Sequence, residues 1–216
     1  MIDTHSHIFS EEFKEDLPEV IARAKEIGVE KIFMPNIDDT SVEDMLSVYQ
    51  AYPDYCFPMI GFHPTSVEGP DAIYKVKEMK KRLVEGHPYI AIGEVGLDLY
   101  WDKTWLKEQQ QILDEQIQWA LEWKLPLVIH CREAFPELFQ VLEPYKHTEL
   151  TGVFHSFTGT LDEARELMDS GMRATEACYR CGWRSYSSFT RAYNKHLGTT
   201  PTGRLDKASA READFE

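Results

Sequence analysis

The chain has 216 residues, of which 43% are hydrophobic and 28% charged, and its formal net charge is −14. This composition excludes a disordered or fibrous protein, and the sequence contains no run of 18 uncharged apolar residues that could cross a membrane. The first residues also lack the basic and apolar regions of a signal peptide, so we expect a cytoplasmic protein without membrane association.

The cysteines and the charges divide unevenly along the chain. Four cysteines (Cys56, Cys131, Cys178 and Cys181) are too few for a disulfide framework in a chain of this length, so we expect reduced thiols. Residues 173–216 carry eight Lys or Arg and five Asp or Glu, a net of +3, which leaves −17 on the first 172 residues. An acidic surface repels nucleic acid, so DNA chemistry in the first part requires a local cationic site, most simply bound metal.

Short apolar, β-branched segments alternate with segments of helical period, which is typical of βα units around a parallel sheet. Six strands are predicted, at residues 1–9, 29–37, 56–62, 90–97, 126–131 and 152–156, and helical spacing follows them, for example at 16–27 and 107–123. Strands this apolar need helical cover on their faces, which leaves a barrel and a doubly wound sheet as the two candidates. The composition changes near residue 172, where we place the end of this domain.

Several potential metal ligands fall at or near the C-terminal ends of the predicted strands. They are His5, His7, His63, Glu94, His130 and His155. The ends of parallel strands meet on one face, and the His-x-His spacing puts two imidazoles on the same side of a strand. Glu94 can bridge two cations. The set therefore predicts two divalent ions (Zn, Mn or Mg), about 3.5–4 Å apart, holding a nucleophilic water.

Five short segments in chain order resemble the successive signatures of the TatD family of metal-dependent hydrolases. They are Asp-Thr-His-Ser-His from residue 3, Gly-Phe-His-Pro from 61, Gly-Glu-Val-Gly-Leu-Asp from 93, His-Cys-Arg-Glu-Ala from 130 and Phe-His-Ser-Phe-Thr-Gly from 154. The resemblance covers roughly residues 1–171. It implies a TIM-type (β/α) barrel of the metal-dependent hydrolase superfamily that cleaves phosphodiester bonds in DNA.

The resemblance also implies roles for individual residues. His5, His7 and Glu94 correspond to ligands of one metal ion. Glu94, His130 and His155 correspond to ligands of the other. His63 and Arg132 correspond to contacts with the substrate phosphate, so Glu94, His63 and Arg132 are the expected catalytic residues.

Two features of this region leave alternatives open. Arg132 can bind phosphate through its two-pronged guanidinium group, or it can form a surface salt bridge. Asp98, Tyr100 and Trp101 follow Glu94 closely, and they can contact the water and stack on a nucleobase, or serve only in loop packing.

The sequence departs from the TatD pattern after residue 172. The Glu-Thr-Asp motif that ends the family's eighth strand is not found, so we expect a barrel truncated after its sixth βα unit. Residues 173–204 instead resemble the last helix-turn-helix of AraC-family regulators, with Gly182 at the turn and a recognition helix over 185–197. Its basic residues can contact DNA weakly or form a solvated face. The polar tail, 205–216, is expected to be disordered.

The leading hypothesis is therefore a divalent-metal deoxyribonuclease acting through metal-activated water, with DNA as its partner and no obligate protein partner. Two alternatives remain. One is a related binuclear amidohydrolase, such as a D-aminoacyl deacylase. The other is a catalytically impaired chimera carrying a DNA-binding helical remnant.

Overall fold

The computed structural model describes residues 1–157, 159–160 and 162–163. A first compact unit comprises Met1–Gly152, and a second unit begins at Val153. The strands are β1 (Ile2–Asp3), β2 (Lys31–Met34), β3 (Cys56–Pro58), β4 (Ile92–Asp98), β5 (Leu127–Arg132) and β6 (Gly152–His155). The helices are α1 (Leu17–Glu26), α2 (Val42–Ala51), α3 (Ala72–Lys80), α4 (Leu106–Trp123) and α5 (Phe135–Leu142), with short 3-10 helices at Glu11–Phe13, Pro64–Ser66 and Glu143–Tyr145.

The strands of the first unit pair in parallel and in chain order. β2 lies between β1 and β3, and β4 pairs with β5. Each of these strands is separated from the next by a helix. The alternation predicted from the sequence is therefore confirmed, and the predicted helices at 16–27 and 107–123 differ from α1 and α4 by one residue at most at either end.

The first strand is shorter than predicted. The sequence suggested a strand over residues 1–9, but β1 ends at Asp3, whose carboxylate Oδ1 accepts a hydrogen bond from the amide of His5 at 3.1 Å. This local bond turns the backbone away from the extended pairing pattern, as short polar side chains commonly do. His5 and His7 therefore follow the strand and do not belong to it.

A seam joins the two sets of strands, β1–β3 and β4–β5. An isolated parallel bridge pairs Ile60 with Ile92, and backbone hydrogen bonds run from Ile60 to Ala91 and from Gly93 back to Ile60. The backbones approach so closely here that a Cβ on Gly61 would lie 2.6 Å from the carbonyl carbon of Gly93. Only glycine fits such a contact.

The longest helix, α4, covers β4 and also packs against α3. Its buried apolar side chains recur at helical spacing, and they include Ile112, Leu113, Ile117 and Trp119. The helix ends where Lys124 takes a left-handed conformation with φ of 54°. β4 is buried along its whole length, so α4 is the element that supports this strand from the side opposite solvent.

Two of the cysteines, Cys56 and Cys131, are buried free thiols, as the sequence predicts. Burial raises the pKa of the Cys56 thiol to about 12, against a smaller opposing effect of Lys25. The thiolate is therefore scarce at neutral pH, which makes Cys56 chemically inert. The other two cysteines lie outside the described residues.

The second unit begins with most of β6. Within it, the rings of Phe154 and Phe157 meet edge to face at 6.1 Å. Thr160 and Glu163 bond reciprocally, with the Thr160 hydroxyl accepting from the Glu163 amide at 3.3 Å and donating to its carboxylate at 2.9 Å, the pattern of a helix N-terminus. The domain boundary predicted near 172, the helix-turn-helix segment and the polar tail all fall outside the described residues. Within the described part, no helix is both long and apolar enough to cross a membrane.

Candidate metal centre

Glu94 lies at the centre of a histidine cluster at the seam. It is a β4 residue with only 3% of its surface exposed. Oε2 of its carboxylate lies 3.1 Å from Nε2 of His5 and 3.9 Å from Nε2 of His7. Oε1 lies 3.3 Å from Nδ1 of His130 and 3.8 Å from Nε2 of His63. The two oxygens of one carboxylate thus face two different pairs of imidazoles.

The cluster contains two groups of potential ligands that share Glu94. One is His5, His7 and Glu94, and the other is His63, Glu94 and His130; within each group the candidate atoms lie within 4.8 Å of one another. The strand spacing that we used to place His5 and His7 together was wrong for these residues, since β1 ends before them. Both imidazoles nevertheless approach the same carboxylate oxygen.

The donor set fits divalent metal. Glu94 Oε1 is buried and has no hydrogen-bond partner among the described residues, and His130 approaches it without the direction of a hydrogen bond. Leaving a buried carboxylate oxygen unsatisfied is costly, and a cation would remove that cost. Burial opposes ionisation of Glu94, but the nearby imidazoles of His130 and His5 outweigh it and hold its pKa below the ordinary value. The carboxylate is therefore charged at neutral pH.

The His7 and His63 imidazoles are neutral at neutral pH. Burial lowers the pKa of His7, and the neighbouring His5 lowers it further. Burial likewise lowers the pKa of His63 to about 4, despite the opposing charge of Glu94. Neutral imidazoles have a nitrogen lone pair available, which is what a metal ligand needs.

The tautomer of His63 follows from its contacts at the start of the 3-10 helix Pro64–Ser66. Its Nδ1 accepts a hydrogen bond from the amide of Thr65 at 3.2 Å, and the Thr65 hydroxyl lies 2.7 Å from the same nitrogen. The proton of the neutral ring must then be on Nε2, the nitrogen that faces Glu94. His63 therefore presents a hydrogen-bond donor to the site, which suits a phosphate contact better than metal ligation.

His130, in β5, is held in the opposite sense. Its Nε2 lies 2.7 Å from Oδ2 of Asp98, a carboxylate that is 2% exposed. Its Nδ1 faces Glu94. A carboxylate behind an imidazole fixes the ring orientation and makes the other nitrogen a better ligand. Burial lowers the pKa of His130, but Glu94 and Asp98 raise it more, so the net pKa lies above the usual value.

Arg132, at the end of β5, stacks on aromatic rings. Its guanidinium carbon lies 3.5 Å from the centre of the Tyr100 ring and 5.4 Å from that of Trp101. The two rings meet edge to face at 4.8 Å, and Trp101 is 72% exposed. Asp98 Oδ1 accepts the amide of Tyr100 at 3.0 Å and so holds the start of this loop. The stacking fixes the guanidinium group while leaving its edge available for a planar anion.

His155 stands apart from these contacts because it lies in the second unit, at the end of β6. Its assignment as a metal ligand remains a prediction.

Three buried polar residues around the site were missed in the sequence. Asn36 binds the backbone on both sides of Glu94, since its amide donates to Gly93 O at 3.0 Å and its carbonyl accepts from Glu94 N at 3.1 Å. Its side chain also donates to the carbonyl of Gly61 at 2.8 Å. Gln109 and Gln116 of α4 are the other two. The available signal was a polar side chain within an otherwise apolar face or directly after a buried strand.

Comparison with known families supports this geometry. A family model described as "TatD related DNase" matches residues 2–178, and one described as "Helix-turn-helix domain" matches residues 159–205. Both resemblances found in the sequence are thereby confirmed.

Individual relatives are similar over the same region. The "Uncharacterized metal-dependent hydrolase YabD" of Bacillus subtilis is 35% identical over 171 residues, covering 78% of this chain. The "3'-5' ssDNA/RNA exonuclease TatD" of Pantoea ananatis is 32% identical over 172 residues, covering 80%. The matched region spans 65% of the length of each of these relatives.

Solved structures show the same fold. The crystal structure of the TatD homologue YJJV from Escherichia coli matches with a TM-score of 0.69 and 29% identity, over 79% of this chain and 65% of that one. A TatD-family hydrolase from Entamoeba histolytica matches with a TM-score of 0.62 and 21% identity, over 79% of this chain and 62% of the other, which bears on the fold alone. The α/β fold of the TatD hydrolase type predicted from the sequence is thus confirmed.

Proposed function

Because the chain belongs to the TatD-related DNase family, we propose that it is a metal-dependent hydrolase of phosphodiester bonds in DNA that uses two divalent ions. One observation carries this proposal: the two oxygens of the buried Glu94 carboxylate face separate pairs of histidines. A carboxylate in this position suits a bridge between two cations.

The first ion would be held by Nε2 of His5, Nε2 of His7 and Oε2 of Glu94. The second would be held by Oε1 of Glu94 and Nδ1 of His130, with His155 proposed as a further ligand. Such ions supply Lewis acidity toward a phosphoryl oxygen and lower the pKa of water, and imidazole with carboxylate ligation suits Zn or Mn, with Mg also accepted by the carboxylate.

The remaining groups act on the substrate. His63 donates through Nε2 to a phosphate oxygen, because its other nitrogen is occupied by Thr65. Arg132 binds the phosphate with its guanidinium edge while its face rests on Tyr100. Trp101 is exposed beside them and offers a surface on which a nucleobase can stack.

Single-stranded DNA is the substrate that we propose first. The Pantoea ananatis relative carries the name of a 3'-5' exonuclease for single-stranded DNA and RNA. A net charge of −17 on the first 172 residues makes local cations necessary for holding a polyanion. The segment that matches the helix-turn-helix model carries a net positive charge, and we propose weak DNA contact there. A TIM-type closure of the strands, truncated after the sixth unit, belongs to the same proposal.

Metal removal tests this function. Chelation with EDTA followed by gel filtration should lower cleavage of end-labelled single-stranded DNA by at least about a hundredfold, because the ions supply several kcal/mol of transition-state stabilisation. Addition of Mn²⁺ or Zn²⁺ should restore it, and elemental analysis should find two equivalents per chain. Unchanged cleavage after chelation would contradict the proposal, and hydrolysis of a D-aminoacyl ester with no cleavage of DNA would favour the amidohydrolase alternative.

Replacing Arg132 with lysine should weaken substrate binding. Lysine keeps the positive charge but loses both the two-pronged contact and the stacking on Tyr100, so we expect KM for single-stranded DNA to rise about tenfold with a small change in kcat. Arg23→Lys is the matched control, since Arg23 lies on exposed α1 and pairs only with Asp16 at 3.4 Å. Equal KM values for the two variants would remove Arg132 from the substrate site.

A further inference from the structure

Two buried glutamines of α4 face the candidate metal centre from behind. Gln109 is 3% exposed and Gln116 is fully buried. They are seven residues apart, close to two helical turns, so both lie on the same side of the helix. α4 packs on β4, and this is the side that carries the helix's apolar contacts. A polar amide in such a place is stable only if its donor and its acceptor are both satisfied.

Gln116 satisfies its amide entirely on one backbone residue. Its Oε1 accepts the amide of Phe62 at 2.7 Å, and its Nε2 donates to the carbonyl of Phe62 at 3.3 Å. The next residue is His63, whose own amide donates to the carbonyl of Ile37 at 2.7 Å. The backbone is therefore held on both sides of the point where the His63 imidazole leaves the chain.

Gln109 repeats this arrangement one strand away. Its Oε1 accepts the amide of Asp98 at 2.9 Å, and its Nε2 donates to the carbonyl of Asp98 at 3.1 Å. The carboxylate of Asp98 in turn contacts His130 at 2.7 Å. A second side chain of α4 is thus connected, through a single residue, to a second histidine of the same group.

We propose that Gln109 and Gln116 are positioning residues for the second ligand group, in which they set the orientations of His130 and His63 respectively. The inference rests on the proposed function, because it assigns these glutamines to the chemistry of that site. Neither contacts the group formed by His5 and His7 in any hydrogen bond of the described structure, so their effect should be confined to one half of the centre.

The test uses Gln109→Met and Gln116→Met in the full chain, with Gln111→Met as the control. Methionine is close in length to glutamine but can neither accept nor donate the paired hydrogen bonds. Gln111 is on the same helix but exposed. Calorimetric titration with Mn²⁺ should show two binding events in the wild type and in the control. In the buried variants, one event should weaken about 10–100-fold while the other is unchanged.

A second measurement does not depend on metal. Long-range ¹H–¹⁵N spectra of the metal-free protein report the tautomer of each imidazole. Gln116→Met should change the His63 signals and leave those of His130, and Gln109→Met should do the reverse. If either methionine variant is insoluble, glutamate at the same position keeps the acceptor for the backbone amide and removes only the donor.

The outcomes separate this inference from the proposed function. Lower thermal stability with two unchanged Mn²⁺ affinities and unchanged imidazole spectra would show a purely structural role and overturn the inference. A wild-type protein that binds no Mn²⁺ would overturn the proposed function, and the imidazole spectra would still decide whether the glutamines orient the two histidines. In active protein, kcat should fall about 10–100-fold with KM nearly constant.

Discussion

Replacing Glu94 with glutamine should abolish catalysis while leaving the protein folded. The amide has the size of the carboxylate but lacks the charge and the second oxygen needed to face both histidine pairs. We expect loss of both Mn²⁺ equivalents and a fall in kcat of at least about a thousandfold, equivalent to about 4 kcal/mol of lost transition-state stabilisation. Elemental analysis, calorimetry and cleavage of single-stranded DNA measure these effects.

The control for this variant is Glu12→Gln, the same chemical change at an exposed residue of the first 3-10 helix. It should retain both metal equivalents and full activity. Loss of only one equivalent in Glu94→Gln would show that the carboxylate serves a single ion, contrary to a bridging role. Retention of activity would exclude Glu94 from the chemistry altogether.

Replacing Gly96 with alanine should prevent the first unit from folding. Gly96 pairs with His130 across β4 and β5, and its φ is +141°, a conformation that side chains of L-residues rarely adopt. A Cβ there would lie 1.8 Å from the carbonyl oxygen of His130. Because the obstacle is the backbone of the paired strand, relief requires the two strands to separate. We expect a loss of more than about 4 kcal/mol in the free energy of unfolding, visible as insoluble or molten protein.

Gly86→Ala separates the steric effect from the conformational one. Gly86 also has a positive φ, +82°, but a Cβ there would contact nothing within 4 Å. This control should cost roughly 1–2 kcal/mol, measured by urea unfolding. Similar losses at both positions would mean that β4 and β5 can move apart at little cost, and would weaken the view that their close pairing holds His130 against Glu94.

The sequence predicted well those parts of the fold that repeat. The alternation of apolar strands with amphipathic segments indicated the six strands and the helices between them because both periods extend over many residues. β1 was overestimated because Asp3 turns the chain by a hydrogen bond to the amide of His5, a local effect that hydrophobic patterning does not register. The segment after residue 172 depends on resemblance alone.

The candidate site shows the same division. His5, His7, Glu94 and His130 could be grouped from the sequence because strand ends of a parallel sheet share one face. The supporting contacts could not. Gln109 and Gln116 resemble ordinary exposed helix residues until the partner of each is known, and Gln116 lies 54 residues from Phe62. Such pairings arise from tertiary structure, so no spacing rule in the chain predicts them.

The seam between β3 and β4 has a consequence for the lifetime of the protein. His5, His7 and His63 come from the β1–β3 side, and Glu94 and His130 come from the β4–β5 side. Ions held by this set would fasten the two sides together, adding about 1.4 kcal/mol of stability for each tenfold excess of free ion over its Kd. Since proteases act on opened chains, a cell short of metal would degrade this protein sooner. Metal supply would then govern how much of it accumulates, independently of its turnover of substrate.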